Sequence, residues 1–386
     1  MSSRFLAQRY QALRRNPMGT VFDKASRYDD VINLSIGDPD LSTPGVIVEE
    51  AFRDVRQGHT KYTDPRGYPQ LRDEIRGFYR EEYGVSLADG QVMVTTAGLV
   101  AMYLAMEALL DPGDEVIIPD PCFSPYPVQV ELARGVPVFL PTYGGEGFRI
   151  DVDRLRTLVT PKTKAILINT PNNPTGACLT RENLEALAAF CVERDLVVLA
   201  DDIYTFYSFD RDFVPIMSLP GMGERTVTVN SFSKNFLMTG FRVGNLVAPP
   251  EIIRVIQDIN ESVVFTAPAP SQRAALHALR HRGEYRAEIV EAFRQRMDYA
   301  AGRINALARM SVPAPQGSIY LFPDVSATGL DSGQVCTRIL EEAHVLTLPG
   351  RAFGACGEGH LRIACTVGLA QLEEAFDRIA RMPLFQ

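Results

Sequence analysis

From Thr43 onward, apolar positions along the chain follow two rhythms in turn. Spacings of three and four mark helices, and short continuous apolar runs mark buried strands. Leu71 to Tyr83 has apolar residues at 71, 75, 78 and 79, which predicts a helix. Val92–Val94 predicts a strand, Gly98 to Leu110 a buried helix, and Asp111-Pro112-Gly113-Asp114 the turn that closes it. Strands follow at Glu115–Ile118, Pro137–Leu140 and Lys164–Asn169, the last apolar enough to be buried on both faces. Thr180 reads as the N-cap of a helix running to about Arg194. Further strands are expected at Leu196–Ala200, Thr226–Asn230 and Val243–Ala248. This alternation predicts an α/β protein whose mostly parallel sheet is covered by helices on both sides. Ligands of such folds gather at the carboxyl ends of the strands.

The rhythm changes at Pro250. A long helix leads to a turn near Thr266–Pro270, and Ser271–Leu279 and Tyr285–Leu307 read as further helices. The tail mixes strands (Ser318–Phe322, Val345–Thr347, His360–Ala364) with helices, which suggests a second, smaller α+β lobe. Met1 to about Arg27 reads as a surface-hugging helix. Val31–Ile36 is a short apolar run that ends at Gly37-Asp38-Pro39. The expected division is a large domain over 45–285 and a small one made of 1–44 and 286–386.

Composition narrows the function classes. A chain of 386 residues exceeds one ordinary domain. The formal charge of -8 disfavours nucleic acid or an anionic membrane as the main partner. No run approaches the roughly 18 apolar residues that span a bilayer. The arginine-rich N-terminus lacks the apolar core of a secretory signal. Six cysteines form no CxxC pair and have no histidine partner at ligand spacing. Free thiols in a reducing cytoplasm are therefore expected.

The chemistry starts at Asn230-Ser231-Phe232-Ser233-Lys234, followed by Met238-Thr239-Gly240-Phe241-Arg242. A lysine there can form a Schiff base with an aldehyde, and hydroxyls with a guanidinium can hold a phosphate. Aldehyde and phosphate on one small molecule describe pyridoxal phosphate, an electron sink for carbanions. Asp201 follows a strand of Leu, Val, Val, Leu and Ala, where a carboxylate is costly unless it meets a cation such as a protonated pyridine. Taken alone, it reads more readily as a cap or loop acid. Tyr204, three residues on, can reach the ring's phenolic oxygen. Asn173, in Thr170-Pro171-Asn172-Asn173-Pro174-Thr175-Gly176, is presented by a backbone stiffened by two prolines, whether to a ligand or merely in a rigid turn. Thr95-Thr96-Ala97-Gly98-Leu99 joins a strand to a helix whose first amides can bind phosphate. Arg362 lies in an apolar strand and needs an anion, either a substrate carboxylate or an internal acid. Phe123 is placed to stack on a planar ring or to fill the core.

Taken together, these residues resemble the fold-type I pyridoxal phosphate-dependent aminotransferases, the aspartate aminotransferase superfamily (class I/II). The match runs from Gly37-Asp38-Pro39 to Arg362, and its specific marks are NNPTG and S-x-S-K-x-x-x-M-T-G-x-R in register. The resemblance implies a seven-stranded, mostly parallel sheet in the large domain. It implies that Lys234 links to the cofactor and shuttles the proton, and that Asp201 pairs with the pyridine nitrogen. Tyr204 and Asn173 would bond the phenolic oxygen. Ser231, Arg242 and the amides of Gly98 and Leu99 would hold the phosphate, with Ser233 assisting. Phe123 would stack on the ring, and Arg362, helped by the backbone at Gly37, would bind the α-carboxylate. Tyr62 resembles a tyrosine that crosses to the neighbouring subunit's phosphate, so a homodimer with shared sites is expected.

The chain departs from the family in carrying Ala97-Gly98 before the phosphate helix, Leu99 where dicarboxylate-specific bacterial members carry lysine, and Phe123 where many carry tryptophan. The implied reaction is ping-pong transfer from an L-α-amino acid to a 2-oxo acid. The alternative on the same frame is β-elimination by a C–S lyase or another reaction of the same cofactor.

Overall fold

The computed structural model describes residues 5, 7, 10 and 25–386. The helix expected over Met1–Arg27 therefore lies almost wholly outside the described residues. Twelve strands form among those described: β1 Ile32–Asn33, β2 Val92–Thr95, β3 Glu115–Asp120, β4 Val136–Pro141, β5 Thr163–Asn169, β6 Val197–Asp201, β7 Thr226–Ser231, β8 Gly244–Val247, β9 Tyr320–Leu321, β10 Val345–Leu346, β11 Leu348–Pro349 and β12 Leu361–Ala364.

Seven of them make one sheet in the order β2-β8-β7-β6-β5-β3-β4. β8 runs antiparallel to both of its neighbours, and the remaining pairs are parallel. Alternate residues of the central strands enter different cores. Ala165 and Leu167 of β5 and Leu199 of β6 pack with helix Ala97–Leu109, while Ile166, Ile168, Val198 and Ala200 pack with helix Arg181–Glu193. That two-sided burial is why β5 and β6 read as unbroken apolar runs. Thr180 caps its helix as expected, accepting from the Asn183 amide at 3.1 Å.

The tail builds a separate arrangement. β11, β12 and β9 form an antiparallel three-stranded sheet, and β10 pairs in parallel with β1 from the other end of the chain. Helices at Gly45–Arg56, Pro125–Leu132 and Val152–Leu158, and the strand β11, are additions to the sequence-based assignment. These pieces are short, or opened by proline or a glycine-rich turn, so the pattern had few residues to work with.

Candidate active site

The carboxyl ends of β5, β6 and β7 deliver Asn173, Asp201 and Ser231 to one region, as the parallel sheet requires. Asn169, the last residue of β5, ties two of these ends together. Its Nδ2 donates to the Asp201 carbonyl at 2.8 Å and its Oδ1 accepts from the Asn173 amide at 2.7 Å. Asn172 in turn accepts from the Thr175 amide and hydroxyl, so the loop is fixed by side chains as well as by its prolines.

Asp201 is 6% exposed. Its Oδ2 accepts from the Tyr126 hydroxyl at 2.5 Å, while Oδ1 is buried with no hydrogen-bond partner among the described residues. Burial pushes this carboxyl up to about 6, against the pull of the Tyr126 hydroxyl and the nearby Ile203 amide. That amide favours the charge without meeting hydrogen-bond geometry. The residue is neither a cap nor a solvated loop acid. It is a buried acceptor with one free oxygen. Tyr126 packs edge-on against half-buried Phe123, with ring centroids 5.4 Å apart.

Arg362 is 4% exposed, and among the described residues no carboxylate lies within ion-pair distance of it. Its guanidinium donates to Asn173 Oδ1 at 3.0 Å and to the Ser35 carbonyl, and its Nε is buried without a partner. Two ring faces sandwich it, Tyr320 at 4.4 Å and Phe353 at 4.6 Å from Cζ. Burial pulls its pKa down, with the Tyr320 and Tyr204 rings opposing. The other buried arginines differ: Arg72 meets Asp89 at 2.8 Å and Arg296 meets Asp40 at 2.7 Å. The internal salt bridge considered for Arg362 is therefore not made, and this cation faces the site still requiring an anion.

Tyr320 joins these parts. Its hydroxyl accepts from the Tyr204 phenol at 3.2 Å, and Tyr204 is fully buried, which raises its pKa together with the Tyr320 and Asp201 groups beside it. A Cβ placed on Gly37 would stand 1.8 Å from the Tyr320 hydroxyl, so a larger residue would push that hydroxyl out of place. The Gly37 carbonyl accepts from Lys234 Nζ. Gly37 thus meets the lysine through its carbonyl.

The residues expected to hold phosphate assemble at the heads of two helices. Ser231 caps the short helix Phe232–Asn235 by accepting from the Ser233 amide at 3.1 Å, and its hydroxyl lies 3.0 Å from that of Ser233. A Cβ on Gly98 would touch Ser231 at 3.4 Å, and one on Gly244 would stand 2.8 Å from the Gly98 nitrogen. This close approach packs the first turn of helix Ala97–Leu109 against Ser231. Thr96 precedes that helix, and its buried hydroxyl has no partner among the described residues. Helix N-termini and small residues together favour an anion.

A chain of contacts therefore unites Lys234, Gly37, Tyr204, Arg362, Asn173, Asp201 and Phe123, with Gly98, Ser231 and Ser233 next to the lysine. Three other residues named from the sequence stand apart. Arg242, in a left-handed conformation with φ 53°, is exposed and donates to the Thr239 carbonyl at 2.8 Å. Leu99 is 45% exposed, its carbonyl taken by Gln129. Tyr62 is 85% exposed and touches Phe265 edge-on at 4.9 Å. Tyr126, Tyr320, Asn169 and Thr96 were not singled out as site residues from the sequence. The available signals were slight: Tyr126 lies three positions after Phe123, and Tyr320 sits in a run already read as a strand.

Residues 29–379 match the family described as aminotransferase class I and II. The chain is 38% identical to an aromatic-amino-acid aminotransferase of Thermococcus litoralis, over 98% of each chain. It is 35% identical to an aspartate aminotransferase of Pyrococcus horikoshii, over 98% of this chain and 97% of that one. Among solved structures, a double mutant of Thermus thermophilus aspartate aminotransferase superposes with a TM-score of 0.93 at 35% identity, covering 98% of this chain and all of the other.

Proposed function

The chain belongs to the class I and II aminotransferases and transfers amino groups between amino acids and 2-oxo acids; we propose that it does so with pyridoxal phosphate, in a ping-pong cycle. The observation that carries this reading is a pair of buried, unsatisfied atoms on one contact network, Asp201 Oδ1 and Arg362 Nε. One needs a donor, the other an acceptor. A protonated pyridine ring and a substrate α-carboxylate supply them, and leaving either atom unpaired costs roughly 1–3 kcal/mol.

Pyridoxal phosphate, when bound, supplies an electron sink that lets the α-proton of an amino acid depart. Asp201 Oδ1 would keep the ring nitrogen protonated, with Tyr126 holding the carboxylate in place. Ser231, Ser233 and the amides of Gly98 and Leu99 take the phosphate, with Arg242 at the rim. Tyr204 and the free amide of Asn173 donate to the phenolic oxygen, and Phe123 covers the ring. Arg362 grips the α-carboxylate and so selects which bond at the α-carbon is broken. Lys234 Nζ would take the α-proton and deliver it to the carbon that had carried the aldehyde.

The preferred donors have one carboxylate and an apolar side chain. Arg362 is the single buried cation left without an acid among the described residues, and Leu99 and Phe123 are apolar. A homodimer is supported by the exposed pair Tyr62 and Phe265, in edge-on contact, which a second copy would cover while Tyr62 reaches the other phosphate. Six free cysteines fit a reducing compartment such as the cytoplasm. The lobe boundaries 45–285 and 1–44 with 286–386 draw support from the β1–β10 pairing. The relatives named above are aminotransferases, so elimination has no support beyond the shared frame.

The test is a panel of amino acids incubated with 2-oxoglutarate after loading with pyridoxal phosphate. Amino transfer, fastest from apolar or aromatic donors, is expected. Protein that takes up no cofactor, or that yields ammonia and pyruvate in place of glutamate, would refute the proposal.

A further inference from the structure

We propose that Glu50, His277 and His281 form a binding site for a divalent transition-metal ion of the zinc type. Helix Gly45–Arg56 supplies Glu50, and helix Ala269–Arg280 supplies His277, with His281 as its C-cap. The two histidines are four positions apart and lie on one helix face. Their near nitrogens converge on one oxygen. His277 Nδ1 lies 2.7 Å and His281 Nε2 3.5 Å from Glu50 Oε2, and ligand atoms of all three residues lie within 4.8 Å of one another.

Their far nitrogens are already engaged by carboxylates. His277 Nε2 meets Asp54 Oδ2 at 2.7 Å, and His281 Nδ1 meets Glu284 Oε1 at 2.7 Å. A carboxylate behind each imidazole fixes its tautomer and turns the other nitrogen's lone pair toward a metal. His277 is 4% exposed, and its Nδ1 is buried without a hydrogen-bond partner among the described residues. The Glu50 oxygen beside it is at ion-pair distance but off the direction a hydrogen bond needs. The nitrogen is aimed at the cluster and unsatisfied there.

Dimensions and charge agree. Zinc bonds of about 2.0–2.1 Å in a tetrahedron place ligand atoms about 3.3 Å apart. The 3.5 Å separation matches, and the 2.7 Å one opens with a small turn of the Glu50 carboxylate, whose other oxygen pairs with exposed Arg53 at 3.0 Å. Two imidazoles and one carboxylate suit zinc, cobalt or nickel better than magnesium or calcium, which prefer oxygen alone. Three protein ligands leave a fourth position for water.

The ion would have a bracing role. Asp54 also holds Arg273 at 2.6 Å, and that guanidinium lies over the Tyr68 ring at 5.6 Å. The Asp54 carbonyl accepts from the His59 amide at 3.1 Å. A metal at Glu50 and His277 would tie down both ends of the segment from Gln57 to Tyr68, which carries Tyr62.

The test uses tag-free, full-length protein stripped with a chelator and titrated with zinc by calorimetry near neutral pH. One equivalent per chain and a rise in the thermal midpoint are expected, with two imidazoles in the X-ray absorption spectrum of the loaded protein. His281→Gln, at the partly exposed edge of the site, and Glu50→Gln should each weaken binding by at least about tenfold. His344→Gln, on a distant histidine paired with Asp30, should leave it unchanged. Absence of stoichiometric binding, or equal affinity in His281→Gln and the parent, would overturn the site in favour of a proton shared by His277 with Asp54 and Glu50.

Discussion

The buried floor of the site and its exposed rim are built differently. On the floor, Asp201, Tyr204, Asn173 and Arg362 are buried, and each is held by another residue of the same chain: Tyr126, Tyr320, Asn169 and the Ser35 carbonyl. At the rim, Arg242, Leu99 and Tyr62 are exposed. A preorganised floor performs chemistry because its groups need not be rearranged when charge develops. An exposed rim with few internal partners has room for contacts from outside the chain, which is where a second subunit is proposed to contribute.

Substitutions can break that contrast, and the floor should be the more sensitive. Lys234→Ala should abolish both turnover and the visible absorbance of the lysine-linked cofactor; an active, coloured variant would remove the lysine from the mechanism. Arg362→Leu comes next. Two charge-assisted hydrogen bonds at roughly 1.5–3 kcal/mol each predict a fall in kcat/KM of about a hundredfold or more. A fall confined to dicarboxylate donors would assign the guanidinium to the wrong end of the substrate.

Asp201 gives a prediction about stability. Its carboxyl titrates at about 6 in the folded chain, above the value of about 3.9 expected when unfolded. The native state therefore binds the extra proton between those values. Cofactor-free protein keeps this contribution below about pH 4 and loses it as pH rises through about 6, a difference of at most about 3 kcal/mol. Denaturant midpoints across that window should fall more steeply for the parent than for Asp201→Asn; parallel curves would contradict the burial argument. Tyr62→Phe should have the smallest effect. Loss of one hydrogen bond of about 1 kcal/mol predicts cofactor dissociation about fivefold faster, with folding stability unchanged because the side chain is exposed. A stability loss instead would place Tyr62 in the fold of its own chain.

The sheet was legible because β5 and β6 are covered on both faces, which leaves unbroken apolar runs in the sequence. Lys234, Asp201 and Arg362 were legible because a charge beside such a run needs a reason. Tyr126 and Tyr320 were not, since a tyrosine in an apolar segment looks like packing until its hydroxyl's neighbour is known. Tyr126 is 75 positions from Asp201, and Tyr320 is 116 from Tyr204. Asn169 was hidden differently: its strand was read correctly, but its last side chain works sideways, across the loop and the next strand. The short strand β11 offers two residues, too few for any period.

The bond between Lys234 and the Gly37 carbonyl spans 197 positions. It links the segment just after β1 to the amine proposed to carry the cofactor. If the proposed cofactor takes that amine, the carbonyl at 37, in the segment that follows β1, would have to find another donor. The backbone just after the β1–β10 pair would thus report on whether that amine is free.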